Sequence, residues 1–189
     1  HKYNVVSCDR ASIDGRKVAL ADYSCVDLIL GMQRYTPYAV QYYKTFTPAW
    51  QEMFRAYTQQ GGRLLVSGSY IGSDMQNDGE QQFLSSVLQL EYHPADSVTA
   101  QPAINGLGMT FDIGRRLNRY HYAATHVEIL HPQGQAYCAM QYADGTSAAV
   151  AYDGAAYKSF VMGFPFECIQ LPATRNLLMQ GIMQFLQKQ

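Results

Sequence analysis

Between Thr47 and Asp74 the sequence strings together a cappable amphipathic helix, a Gly-Gly break, a short apolar run and a turn rich in glycine and serine. Few folds accept that order. Thr47 offers a side-chain oxygen to cap a helix, and Pro48 sits at the first helical position, where its missing N–H costs nothing. Trp50, Met53, Phe54 and Tyr57 recur at helical spacing and mark a buried stripe. Gly61-Gly62 supplies the left-handed residue that often ends a helix. Arg63 to Ser67 then reads as a strand running into Gly68-Ser69-Tyr70-Ile71-Gly72-Ser73-Asp74. A second helix follows from Gly79 to Leu90, with Phe83, Leu84, Val87 and Leu88 inward. Short apolar runs alternating with helices predict a parallel sheet covered by helices.

The flanking segments extend this pattern. Tyr3 to Cys8 reads as a strand. Val26 to Met32 reads as another, apolar throughout except for Asp27, as a strand buried on both faces should be. A loop rich in Tyr and Pro spans Gln33 to Phe46. From Ser97 to Asp153 the character changes to antiparallel strands. There Ala136 to Tyr142 and Thr146 to Tyr152 flank Ala143-Asp144-Gly145, whose Asp-Gly predicts a tight hairpin. Ser159 to Phe164 is a further strand, and Pro172 to Gln187 a closing helix with Leu177, Leu178, Ile182, Phe185 and Leu186 inward. The expected fold class is therefore α/β, a three-layer parallel sheet flanked by helices with an antiparallel β excursion in the second half. Residues 1–189 form one domain, expected to be a piece of a longer protein.

Composition removes several function classes. Hydrophobic residues make up 48% and charged residues 15%, which is incompatible with a disordered chain. Lys+Arg 14 against Asp+Glu 15 gives a net charge of -1, so no basic surplus points to nucleic acid or to an anionic membrane surface. The apolar runs fall short of the roughly 20 residues that span a bilayer, and no membrane span is expected. The chain opens at His1 without a basic segment and apolar stretch, so any secretion signal would lie upstream or have been removed. Cys8, Cys25, Cys138 and Cys168 contain no C-x-x-C pair, which excludes a zinc ribbon or thioredoxin motif, and no metal or other cofactor is expected. Three disulfide pairings are possible, although the apolar settings of Cys8 and Cys138 favour free thiols packed as small hydrophobes. Tyr 15 against Trp 1, on a Gln-rich and Lys-poor surface, is compatible with a secreted protein that meets glycans.

Three landmarks carry a family resemblance. The run FRAYTQQGGRLLVSGSYIG, Phe54 to Gly72, resembles the segment of class I glutamine amidotransferases and their flavodoxin-like relatives that ends in the elbow G-x-C-x-G. Asp27-Leu28-Ile29-Leu30-Gly31 resembles their earlier strand, whose final glycine helps form an oxyanion pocket. Phe160 to Glu167, reading FVMGFPFE, resembles the late strand that delivers a His-Pro-Glu motif. Glutaminase chemistry needs a thiolate, an imidazole and an orienting carboxylate. This chain offers Gly68 or Ser69 at the elbow and Phe166 where the imidazole would precede Glu167, so the resemblance implies a degenerate site without glutaminase activity. LLVSGSYIGSD joined to GFPFE further resembles a domain of large secreted Bacteroidetes proteins labelled xanthan lyases. That likeness implies an extracytoplasmic, multidomain setting in which the partners are polysaccharide or other domains of the same protein, and a strand upstream of His1.

Ser69 and Glu167 are accordingly the candidate catalytic pair, with His121, His126 or His131 as a possible base. Gly31, Gly68, Tyr70, Asp74 and Phe166 are the candidate ligand-binding residues. Against the catalytic reading, G-S-Y-I-G lacks the G-x-S-x-G spacing of serine hydrolases, and Ser67, Ser69 and Ser73 suit a hydrogen-bonded tight turn. Glu167 is expected at the strand-end crevice where ligands of open α/β sheets bind, or as a turn cap. Asp74 could orient a ligand hydroxyl or begin a helix or turn. The glycine turn carries neither G-x-G-x-x-G nor a Walker lysine, so no nucleotide is expected. Tyr35, Tyr38, Tyr42 and Tyr43 could stack on sugar faces or pack their own loop. Three functions remain open: an amidotransferase-like accessory domain of a polysaccharide- or cell-wall-associated protein, a polysaccharide lyase or glycan esterase, and a carbohydrate-binding module.

Overall fold

The computed structural model describes residues 3–99, 103–114 and 122–188. A short helix α1 (Arg10–Asp14) precedes strand β1 (Cys25–Gly31), helix α2 (Pro48–Gln59), strand β2 (Arg63–Gly68) and helix α3 (Asp78–Phe83), which continues as one π-helical turn, Leu84–Leu88. The middle of the chain holds β3 (Leu90–Glu91), β4 (Ser97–Thr99), β5 (Ala103–Gly106), β6 (Met109–Asp112), β7 (His126–Glu128) and β8 (His131–Pro132). It closes with β9 (Tyr137–Tyr142), β10 (Ser147–Asp153), β11 (Lys158–Met162) and helix α4 (Pro172–Gln187).

Local chemistry explains these boundaries. Thr47 Oγ1 accepts the Trp50 amide at 3.4 Å and Pro48 opens α2. Beyond it Gly61 turns the chain at φ +86. At α3, Asn77 and Glu80 exchange side-chain and backbone hydrogen bonds in a full capping box. Gly145, at φ +86, closes the β9–β10 hairpin, and Asp144 Oδ1 accepts from the Thr146 amide and hydroxyl.

Seven strands form one sheet in the order β1-β2-β11-β10-β9-β5-β6. β1, β2 and β11 run parallel, with Val26 opposite Leu64 and Phe160 opposite Leu65. The remaining neighbours are antiparallel. This corrects the expected fold class: the sheet is mixed, not the parallel sheet of a three-layer flavodoxin-like domain, and the antiparallel strands are built into it instead of branching from it. The connections explain why. β9, β10 and β11 are joined by turns too short for a crossover, and such turns can only make antiparallel neighbours.

Alternation along the strands divides the core. Leu64, Val66 and Val161 face Trp50, Phe54, Tyr57, Phe83 and Leu88 on one side. Leu65, Phe160 and Met162 face Leu178, Ile182 and Leu186 of α4 on the other. Tyr3 to Cys8, expected as a strand, is exposed and pairs with no strand among the described residues. β1 is instead the edge of the sheet, with Ile29 60% exposed. Leu177 also departs from expectation, being exposed on α4. The four cysteines are free, but Cys8 and Cys138 are exposed and only Cys168 is buried. No helix among the described residues is long and apolar enough to cross a membrane.

Phe83 is fully buried, its ring 5.0 Å from Phe46. Phe83→Ala is expected to cost about 3–5 kcal/mol in urea unfolding, whereas Leu177→Ala should change stability by no more than about 0.5 kcal/mol.

Candidate functional site

The parallel strands end in close quarters. Gly31 closes β1 at φ +56, after a register shift between Ile29 and Gly31. A Cβ there would stand 2.9 Å from Tyr122 Oη and 3.2 Å from Glu167 Oε1, so both backbone and space require glycine. Gly68 ends β2 against Leu30 and the Gly31 carbonyl, and the Ser69 amide donates to that carbonyl at 2.8 Å. Glu167 arrives on the 3-10 turn Phe166–Cys168 after β11.

Glu167 holds the centre of this crevice. Its Oε1 accepts the Tyr122 hydroxyl at 2.6 Å, while Oε2 is buried and receives no hydrogen bond among the described residues. Asp27 lies close enough to interact with it: partial burial, and then repulsion from Glu167, push the Asp27 carboxyl up to about 6. Water reaching the open side of Asp27 screens both effects. Tyr122 is held well above the usual phenol range by burial and its bond to Glu167. Burial followed by the Glu167 charge pushes the Cys168 thiol up to about 11, and its Sγ–H donates to the Tyr122 carbonyl. Cys168 is therefore a protonated packing group and not a thiolate. The crevice can offer paired carboxylates and a phenol to a polar ligand.

The remaining sequence candidates fall around this centre. Ser69 is fully buried and its hydroxyl donates to the His126 carbonyl at 2.7 Å, which brings the two residues together through backbone and not through the imidazole. Among the described residues no hydrogen bond joins Ser69 to Glu167. Tyr70 stacks on the His126 ring at 4.4 Å, and the Arg34 guanidinium lies over the Tyr70 ring, 4.7 Å from its centroid. Burial first, then Arg34, lowers the His126 pKa, which favours the neutral ring. His131 lies elsewhere, 2.8 Å from Asp96, and His121 is outside the described residues. Phe166 is half-buried against the α4 side of the core.

Asp74 is a tether. Its carboxylate accepts from the Tyr35 amide at 2.8 Å, the Thr45 amide at 2.7 Å and the Thr45 hydroxyl at 3.1 Å. Lys44 donates to the Asp74 carbonyl and pairs with Glu80 at 2.8 Å. These contacts fix the tyrosine-rich loop beside the glycine turn. Tyr35, Tyr38, Tyr42 and Tyr43 are all exposed there.

Sequence reasoning passed over two carboxylates. Asp27 was visible only as an interruption of an apolar run, and Glu128 as a charge between Val127 and Ile129. Glu128 is fully buried and accepts the Gly72 and Ser73 amides at 2.7 and 2.9 Å. Tyr122, whose neighbours give no motif, left no signal. A separate surface depression of about 520 Å3, lined by Asn105, Met109, Thr110, Cys138 and Gln141 among others, contains no carboxylate or imidazole.

No protein-family model matches the chain, and no curated protein sequence matches it. Solved structures do. A GH42 β-galactosidase from G. stearothermophilus superposes with a TM-score of 0.58 at 12% identity, over 89% of this chain and 22% of its own. The β-galactosidase of the Antarctic haloarchaeon Halorubrum lacusprofundi gives 0.57 at 13%, over 88% and 22%. A cytoplasmic protein from Salmonella typhimurium gives 0.53 at 14%, over 95% of this chain and 76% of its own. The chain thus spans about a fifth of the length of the β-galactosidases it matches. At these identities the likeness is one of fold.

These matches overturn the resemblance to class I glutamine amidotransferases, to flavodoxin-like domains and to the domain of Bacteroidetes proteins labelled xanthan lyases. The glycines that suggested it have packing reasons of their own. A Cβ on Gly163 would stand 2.3 Å from the Glu128 carbonyl, and one on Gly72 would enter the Tyr92 ring. Close contact with β7 and with Tyr92, not an elbow for a nucleophile, accounts for them.

Glu128 also sets a pH dependence. Burial pushes its carboxyl up to about 7, against hydrogen bonds from Ser73 and Gly72 that favour the charged form. Because the folded value lies above the unfolded one, its contribution to stability is complete below about pH 4.5 and is lost as pH rises through about 7. Urea unfolding across that window should show a smaller loss of stability in Glu128→Gln than in the parent; equal losses would exclude Glu128 as a source.

Proposed function

We propose that this chain is a glycan-binding accessory module of a larger carbohydrate-processing protein. Its binding surface is the crevice of Gly31, Asp27, Tyr122 and Glu167 together with the adjoining tyrosine loop. One observation carries this reading: a buried carboxylate oxygen without a partner among the described residues, Glu167 Oε2, lies at the end of the sheet whose β1 runs on into a loop of exposed tyrosines. Pyranose rings present apolar C–H faces to aromatic rings and hydroxyls to carboxylates, so the two halves of the surface complement the two halves of a sugar. The fold likeness to two β-galactosidases supports a carbohydrate setting. The tether through Asp74 supports recognition further, because it limits the ordering cost of binding.

A second reading, cleavage of a glycan by a lyase or esterase centred on Ser69 and Glu167, draws its support from Asp27 and Glu167. Two neighbouring carboxyls, with that of Asp27 pushed up by burial and by the charge of Glu167, suit acid–base work. In this reading Ser69 would first have to release the His126 carbonyl.

Calorimetric titration with β-galactosyl and β-mannosyl oligosaccharides separates these readings. Binding should weaken about tenfold in Tyr38→Ala or Tyr42→Ala and in Glu167→Gln, a change of about 1.4 kcal/mol. No reducing ends, acids or unsaturated sugars should accumulate. Binding indifferent to all three substitutions would refute the surface, and product formation lost in Glu167→Gln would establish the catalytic reading in its place.

A further inference from the structure

Away from the crevice, three potential ligands meet where β3, the 3-10 turn Pro94–Asp96 and β8 come together. The pairing of Glu91 with His131 sets β8 beside β3, and His93 follows two residues after Glu91. The turn then folds Asp96 back: its amide donates to the His93 carbonyl at 2.8 Å, and the His93 amide donates to Asp96 Oδ2 at 2.9 Å. That same oxygen lies 2.8 Å from His131 Nε2. The two imidazole centroids are 5.0 Å apart at 49°, a tilted arrangement and not a stack. One ligand atom from each of His93, Asp96 and His131 lies within 4.8 Å of the other two.

We propose that His93, Asp96 and His131 form a binding site for a divalent transition metal ion of the zinc class. Two imidazole nitrogens and one carboxylate oxygen are a donor set for Zn2+, Ni2+ or Cu2+, whereas Mg2+ and Ca2+ prefer all-oxygen shells. Around a tetrahedral ion with bonds of about 2.0–2.1 Å, ligand atoms stand about 3.3 Å apart. Asp96 and His131 need only part by a fraction of an ångström, and His93 closes in by a rotation of its exposed side chain. The ion takes the place of the direct contact between His131 Nε2 and Asp96 Oδ2. Three protein ligands leave a fourth position, and the 42% exposure of the His131 side chain opens it to solvent.

The site would act as a cross-link. Asp96 and His131 are 35 residues apart in sequence, and the Asp96 carbonyl accepts the Ile129 amide next to Glu128. An ion joining β8 to the turn therefore restrains the segment that carries His126 and Glu128. This inference is independent of the glycan-binding reading.

The test uses the chain without a polyhistidine tag, stripped with EDTA. Titration with ZnCl2 should show one equivalent bound at micromolar concentration, a raised melting temperature, and no response to MgCl2. His93→Ala should weaken zinc binding at least tenfold and abolish the zinc-induced shift, while leaving the melting temperature of the metal-free protein unchanged because His93 is exposed. His131→Ala should weaken binding to a similar extent. Should that variant fail to fold, His93→Ala alone decides. Cys8→Ser with Cys138→Ser should bind zinc normally, since the exposed thiols are not ligands here. The proposal is overturned if zinc does not bind below millimolar concentration, if binding survives His93→Ala, or if it disappears with the two thiols.

Discussion

One buried carboxylate joins the two halves of this molecule. Glu128 on β7 accepts the amides of Gly72 and Ser73, and so ties the turn that leaves the parallel strands to a segment of the antiparallel region. Its backbone continues the connection. The Glu128 amide donates to the Gly163 carbonyl at the end of β11, and the Tyr142 hydroxyl from β9 donates to the Glu128 carbonyl. A carboxylate between two peptide N–H groups can offset much of the cost of its own burial, and without those groups that cost would be several kcal/mol. The position of the glycine turn, and through it that of the tyrosine loop, follows from this contact.

With the turn fixed, the strand-end crevice acquires its shape. Gly31 and Gly68 let β1 and β2 finish almost in contact, which brings Glu167 and Tyr122 over the Gly31 backbone. Asp27 completes a polar cluster on the same edge strand. The serine that chain order singled out, Ser69, serves the architecture instead, its hydroxyl bound to the His126 carbonyl. Among the described residues, Glu167 Oε2 is the carboxylate oxygen that is buried without a hydrogen-bond partner.

Much of the local structure was legible in the sequence because it depends on short-range chemistry. Thr47-Pro48 and Gly61-Gly62 bracket a helix, Asp144-Gly145 a hairpin, and the periodicity of Leu178, Ile182 and Leu186 the buried face of α4. Sheet topology was not legible in the same way. A short apolar run such as Ser159 to Phe164 looks identical whether its neighbours are parallel or antiparallel, and β11 has one of each. Tyr3 to Cys8 has strand composition but finds no partner among the described residues, since strand formation requires a neighbour as well as propensity. At the candidate site, Gly31 and Glu167 could be read from their place after apolar runs. Tyr122, Glu128 and the His93–Asp96–His131 group could not, because each acquires its meaning from residues remote in sequence.

The placement of β11 between β2 and β10 has a kinetic side. Its antiparallel partner β10 lies one turn away, and β9 one turn further, so this meander closes at little entropic cost. Joining β2 to β11 requires the whole intervening chain to be gathered, and long-range parallel pairing of this kind slows folding. The meander can therefore assemble early, while the seam of Leu64, Leu65 and Val66 against Ser159, Phe160 and Val161 closes late. Until it closes, two apolar strand edges are bare, and those edges make the nascent chain most vulnerable to self-association.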